Sequence, residues 1–310
     1  MVVWAERWPS GHALLDGTLI TVIPDPAIQL ANLRAGKIDS MVISKPLYNK
    51  IKDDPEFRVY VNPHNTMVGL NFNHKSKSIS DIRVRKAISH ALDRKALIHG
   101  IQFDLARIAS CMFPDNHWCH NPSLVPVSYD PELSKRLLAE AGYSDGLTIK
   151  GYNFSDPDSR TFAVAIKDML SRVGIEWKVN SLSLTAFGEK ARNLEYDVSQ
   201  HVWPYIEEPD LPLTSQFHPN GAFNFGRSHN EKVIPLIEKG RSELDGAKRA
   251  KIYQEIERLL YENYEDVWLW WEVMVVAFQK NVHGYNHEMR QKHGQLYQWS
   301  HPLWFKDGHP

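Results

Sequence analysis

Long apolar runs are what this sequence lacks most plainly. The longest, Val273 to Phe278, falls far short of the roughly 20 residues needed to cross a bilayer, which excludes a membrane-spanning helix. At the N-terminus, MVVWAERWPSGHALLDG, the residues Glu6, Arg7, Pro9, Gly11 and His12 interrupt any stretch that could form the apolar heart of an export signal, so no signal is legible there. An excess of charge of one sign is also missing. Lys and Arg total 36 against 37 for Asp and Glu, which leaves no net field to attract nucleic acid or an anionic membrane. Cysteine is scarce: Cys111 and Cys119 lie in one short loop, enough for a single local disulfide but not for a disulfide framework. Internal repeats and low-complexity tracts are absent. So are G-x-S-x-G, H-E-x-x-H, the P-loop and G-x-G-x-x-G, which removes the most legible catalytic and nucleotide-binding signatures.

What is present points to a globular chain. A hydrophobic share of 43% with 24% charged residues over 310 residues is enough for two cores. The ten tryptophans can cover ligand faces or fill core. LITVI, residues 19 to 23, closed by Pro24 and Pro26, reads as a buried strand. A helix through Ile28, Leu30, Ala31, Leu33 and Ala35 follows, with Gly36 at its left-handed end and a strand near Ile38 to Ile43. MVGLNFN, residues 67 to 73, alternates as a strand. Ser80 can cap a helix through Val84, Ala87, Ile88, Ala91 and Leu92, and Asp93 a second one stopped by Gly100. Asp130 with Pro131 opens a helix that ends at Gly142. Leu147 and Ile149, then a helix from Phe162 to Val173 ended by Gly174, then Ile175, Trp177 and Val179 make a βαβ unit. A strand near Val198 to Val202 leads into a Pro-rich, aromatic loop from Trp203 to Phe225. Helices at about 230 to 239 and 246 to 263 precede a last strand, Val267 to Phe278. The pattern is mixed α/β with two lobes.

Four of these segments, in this order, resemble the oligopeptide, dipeptide and nickel solute-binding family of ABC importers. They are IPDPAIQLANLRAGKIDS (23 to 40), NFNHKSKSISDIRVRKAISHALDRKALI (71 to 98), YDPELSKRLLAEAGY (129 to 143) and RAKIYQEIERLLYENYEDVWLW (249 to 270). The resemblance implies an α/β, bilobal periplasmic-binding-protein-like fold of type II, peptide-binding cluster, that closes on a solute and hands it to ABC permease subunits. It also implies that part of lobe I and the small inserted lobe, which precede these segments in the family, are missing here. Residues 1–79 and 279–310 are then an incomplete lobe I, and 80–278 the second large lobe. By the same resemblance the protein works in the periplasm or outside the cell, binds a peptide or another cationic, partly apolar solute, and needs neither cofactor nor catalytic residue.

The family's ligand-facing acidic loop usually reads W-x-x-D-Y-x-D-P, its Asp meeting the ligand's ammonium. The corresponding stretch here is Trp203, Pro204, Tyr205, Ile206, Glu207, Glu208, Pro209, Asp210, one residue short and without Asp at the expected place. Trp203, Tyr205, Glu207, Glu208 and Asp210 are the candidate ligand residues, or the acids are solvated loop charges. Asn224 and Phe225 match the Asn-containing turn that follows; Phe225 can equally be core. Trp268, Trp270 and Trp271 share a strand whose side chains alternate, so at most one face sees a ligand. Cys111, His117, Cys119 and His120 form a C-x5-H-x-C-H group whose cysteines are a disulfide candidate or free thiols, ahead of a zinc reading. His283 and His287 are four apart, but Gly284 between them favours a turn over a chelating helix. A carboxylate hydrolase built on Glu207 and Glu208 fares poorly, because neighbours in a chain rarely face one another. A cytoplasmic sensing domain on the same fold stays open as the alternative to a carrier.

Overall fold

The computed structural model describes residues 15, 17–204, 206–285 and 303–306. The expected strand at 19 to 23 does not form: Leu19, Ile20 and Val22 are 91%, 73% and 87% exposed, and the segment has no regular structure. An apolar run becomes a strand only against a partner, and none among the described residues pairs with it. α1 (Pro26–Arg34) is locally specified. The Asp25 carboxylate accepts from the Ala27 and Ile28 amides, Pro26 occupies the first turn, and Gly36 follows at φ 65°. β1 (Ser40–Ile43), the short α2 (Lys45–Ile51) and β2 (Phe57–Phe72) come next, β2 being far longer than the alternation at 67 to 73 suggested.

In α3 (Ile82–His90) the cap is Asp81, not Ser80: its carboxylate takes the Arg83 amide at 2.9 Å, while the Ser80 hydroxyl donates back to the Lys77 carbonyl. α4 (Arg94–Gln102), capped by Asp93, runs past Gly100 because Leu97, Ile98 and Gln102 are buried, and it ends at Phe103 in the left-handed region. β3 (Ala106–Ile108) and α5 (Pro131–Glu140) follow. α5 has the expected Asp130 cap and the stop at Gly142, φ 90°. β4 (Leu147–Phe154), α6 (Pro157–Ser171) and β5 (Ile175–Leu182) are the anticipated βαβ unit, paired in parallel from Leu147 with Ile175 to Phe154 with Leu182. The chain continues through α7 (Leu184–Arg192), β6 (Val198–Trp203), α8 (Asp210–Phe217), α9 (Ile234–Ser242), α10 (Gly246–Glu262), β7 (Asp266–Gln279), β8 (Val282–His283) and β9 (Trp304–Phe305).

These elements fall into two compact units, 1–64 with 273–310 and 65–272. Both divisions lie earlier than 79/80 and 278/279, because the long strands β2 and β7 each continue from one unit into the other. In the first unit, β1 pairs antiparallel with the end of β7, Ser40 opposite Phe278, and β8 pairs with β9. Val276, Phe278 and Val282 form one buried cluster there, with Tyr60, Tyr285 and Phe305 packed on it, and Leu33, Met41, Ile43 and Ile51 are buried as well.

In the second unit, β6 pairs antiparallel with β2 from Met67–Trp203 to Phe72–Val198, and β3 pairs with β7. The βαβ unit is stapled to β6 by side chains rather than by a ladder. The Ser199 hydroxyl and the Gln200 amide oxygen accept from the Tyr152 and Phe154 amides, and the Trp177 indole donates to the Val198 carbonyl at 3.0 Å. Gly151 permits this approach, since a Cβ there would stand 1.8 Å from the Val198 oxygen. One cluster gathers Val84, Ile88, Leu138, Phe162, Trp177 and Trp270. A second gathers Met67, Phe113, Ile206, Phe217, Trp268 and Trp271. The Trp-rich strand thus divides its indoles between two cores, and all three are at most 4% exposed.

Candidate functional site

The aromatic and acidic loop leaves the sheet at Trp203, the last residue paired with β2. It is pinned one turn later. The Ile206 amide donates to the Asn65 carbonyl at 2.9 Å, the Asn65 side chain donates to the Ile206 carbonyl at 3.1 Å, and the Ile206 side chain is fully buried. Half-buried Trp203 meets Phe223 edge-on at 5.6 Å, and Phe223 meets Phe225 in the same way at 5.8 Å. Phe223 is 51% exposed, so this row presents an aromatic face to solvent. The Arg192 guanidinium lies over the half-buried Phe225 at 5.9 Å. Asn224 is buried at 2% and its amide is spent inside its own turn, donating to the His218 and Ser228 carbonyls and accepting from the Ser228 amide. Tyr205 and His287 lie outside the described residues.

The three acids do not form one cluster. Glu207 is exposed, and its backbone carbonyl accepts from His117 Nε2 at 2.9 Å. Glu208 forms a two-point ion pair with Arg249, whose guanidinium also packs over Trp118 and Tyr253 at 5.5 and 5.2 Å. Asp210 pairs with Arg241 at 3.2 Å and accepts from the Thr214 hydroxyl at 2.9 Å. On the same surface, Trp118, Arg241, Leu244 and Arg249 border an open cavity of about 480 Å³.

Cys111 and Cys119 are buried free thiols, not the disulfide considered from sequence. Each sulfur has another partner. The Cys111 thiol donates to the Glu257 carbonyl at 3.5 Å, and Cys119 Sγ lies 2.9 Å from His117 Nδ1. Because His117 Nε2 donates to a carbonyl, Nδ1 is the acceptor of the neutral ring, and burial holds the His117 pKa below that of an ordinary imidazole. Burial pushes both thiols up, so neither is a reactive thiolate. Among the described residues no group of three or more His, Cys, Asp or Glu is arranged to hold a metal ion.

Two organising residues escape a motif search. Glu257, on the buried side of α10, accepts from the Phe113 and Asn121 amides at 2.9 and 2.6 Å and pairs with His120 at 3.3 Å. Glu265 accepts from Ser228, Asn230 and Asn263 at 2.9, 3.1 and 2.6 Å and sits 3.2 Å from His74, which fixes the turn carrying Asn224. For Glu257 a signal existed: it stands four residues after Tyr253 and three before Leu260, on a stripe that is otherwise apolar.

Residues 4–224 match the sequence profile of the bacterial extracellular solute-binding proteins, family 5, middle region. The chain belongs to that family. Among its relatives, heme-binding protein A of Haemophilus influenzae is 24% identical over 265 residues, which cover 83% of this chain and 48% of the relative. The dipeptide-binding protein of Escherichia coli is 22% identical over 292 residues, 90% of this chain and 54% of the relative. Among solved structures, HbpA2 from Haemophilus parasuis superposes with a TM-score of 0.82 at 24% identity, over 96% of this chain and 59% of that one. The chain therefore has the fold of this family while spanning about half the length of the curated relatives it matches. The two sequence relatives are named as binding proteins and not as enzymes. No helix among the described residues is long and apolar enough to cross a membrane.

Proposed function

We propose that this chain is the solute-binding part of an ABC importer that works outside the cytoplasm, and that the segment from Trp203 to Phe225 faces its solute. In this reading the two compact units correspond to the two large lobes of the family. Trp203, Tyr205, Glu207 and Phe225 contact the solute, Asn224 shapes the turn that carries Phe225, Glu208 and Asp210 anchor the loop, and permease subunits receive the cargo. The observation that carries the reading is the solvent-facing aromatic row of Trp203, Phe223 and Phe225 in the same loop as the exposed carboxylate of Glu207. Aromatic faces give large contact area at little entropic cost, and one charge sets orientation. The solute class that fits is a small peptide or another partly apolar molecule with a cationic or donor group, in keeping with the heme- and dipeptide-binding names of the relatives. Titrating the full chain calorimetrically with a panel of di- and tripeptides and with hemin tests this. Saturable binding without turnover is expected, weakened by Trp203→Ala; no binding across the panel overturns it.

A further inference from the structure

Three side chains from outside the acidic loop hold it in place. His117 donates to the Glu207 carbonyl, Arg249 of α10 grips the Glu208 carboxylate, and Arg241 of α9 grips that of Asp210. The two arginines are themselves fixed. Arg249 also donates from Nε to the Gly240 carbonyl at 3.0 Å and from Nη2 to the Tyr253 hydroxyl at 3.2 Å, with Trp118 against its face. Arg241 donates to the Thr214 hydroxyl at 2.6 Å, and that hydroxyl donates in turn to Asp210, closing a ring of three residues. Glu208 also accepts from the Asp210 amide at 3.3 Å. The Glu207 carboxylate, by contrast, has no partner among the described residues.

A carboxylate held by a guanidinium presents a dipole to an approaching solute rather than a full charge, and the bidentate geometry resists exchange for a flexible ammonium. We infer that Arg241 and Arg249 are specificity-determining residues of the proposed solute site: by neutralising Glu208 and Asp210 they leave the loop one free negative charge, at Glu207, and so select solutes with a single positive group on an apolar body over dications. This rests on the reading of the loop as solute-facing. In the sequence the acids look like a cation-attracting triad, yet two of them serve as anchors.

The test uses the full chain and two probes, phenylalanine amide with one positive charge and lysyl-phenylalanine amide with two, titrated by calorimetry. Glu207→Gln, an exposed and structurally mild change, is expected to weaken phenylalanine amide at least ~5-fold. Arg249→Gln and Arg241→Gln are expected to shift preference toward the dication by roughly 5-fold or more, with Arg249→Lys and Arg241→Lys restoring the original order. A second readout needs no solute: hydrogen exchange of residues 206 to 213 should quicken in both Gln variants while α6 keeps its protection. A loss below about 2-fold in Glu207→Gln overturns the proposal, as does an unchanged charge preference in the arginine variants, or unchanged exchange. Failure of both amides while a peptide or hemin binds overturns the charge rule and leaves the carrier reading standing. Failure of every solute removes the carrier reading itself.

Discussion

Replacing Glu257 by Gln removes one charge and alters one side chain's donors without changing its volume, yet it strikes the centre of the loop from Cys111 to Asn121. The carboxylate is fully buried and receives three donors, the Phe113 and Asn121 amides and the His120 ring. Gln has one oxygen, so one amide is left facing an NH2 group instead of an acceptor. A hydrogen bond to a charged group contributes about 1.5–3 kcal/mol, and breaking a buried pair costs about 3–5 kcal/mol, so a loss of roughly 3–5 kcal/mol is expected. That is a large part of the roughly 5–15 kcal/mol that holds a typical domain. The loss has a pH signature. The Glu257 hydrogen bond raises the His120 pKa above its ordinary 6.5. A raised imidazole stabilises the fold fully below its unfolded pKa and loses that contribution as pH rises through the folded value. Urea unfolding at pH 6 and pH 8.5 should therefore show the larger gap between the native chain and Glu257→Gln at pH 6. As the His120 ring loses its charge, the charge pairing is lost and the gap shrinks toward the hydrogen bonds that the Glu257 carboxylate accepts. A gap below ~1 kcal/mol at pH 6, or one equal at both pH values, would refute the reasoning.

Two glycines should answer in opposite directions. A Cβ at Gly69 would stand 2.0 Å from the Val267 carbonyl oxygen, so Gly69→Ala should yield little folded chain or lower Tm by at least ~10 °C; Gly100 in α4 has open space around it, so Gly100→Ala should gain about 1 kcal/mol in urea unfolding. His117, whose folded pKa is lowered, makes the chain lose stability as pH falls from 6.5 toward that lower value, because the unfolded chain takes the proton first. His117→Gln should flatten that part of the profile, and an unchanged slope counts against a His117 ring held neutral by burial. Both thiols should be slow toward a disulfide-exchange reagent in the native chain and react fully once it is denatured; immediate native reaction would contradict their burial.

Much of the second unit was legible because its signals are local. Asp93, Asp130 and Pro131 open helices within a residue or two of themselves, and Gly142 and Gly174 close others by backbone conformation alone. The alternation at Leu147, Ile149, Ile175 and Trp177 sufficed to place a parallel pair around a helix. Where two local readings competed, at Ser80 and Asp81, the choice turned on side-chain geometry that the order of residues does not contain. The fate of LITVI was decided by the want of a pairing partner among the described residues, and the length of β2 by the strands beside it. The acidic loop shows the division most sharply. Its residues and their kinship to a solute-binding family could be read directly, but Asp210 meets Arg241 across 31 residues and Glu208 meets Arg249 across 41. Charge is a property of the residue, whereas neutralisation is a property of distance. Only the packing of α9 and α10 beside the loop settled which of its carboxylates remain free.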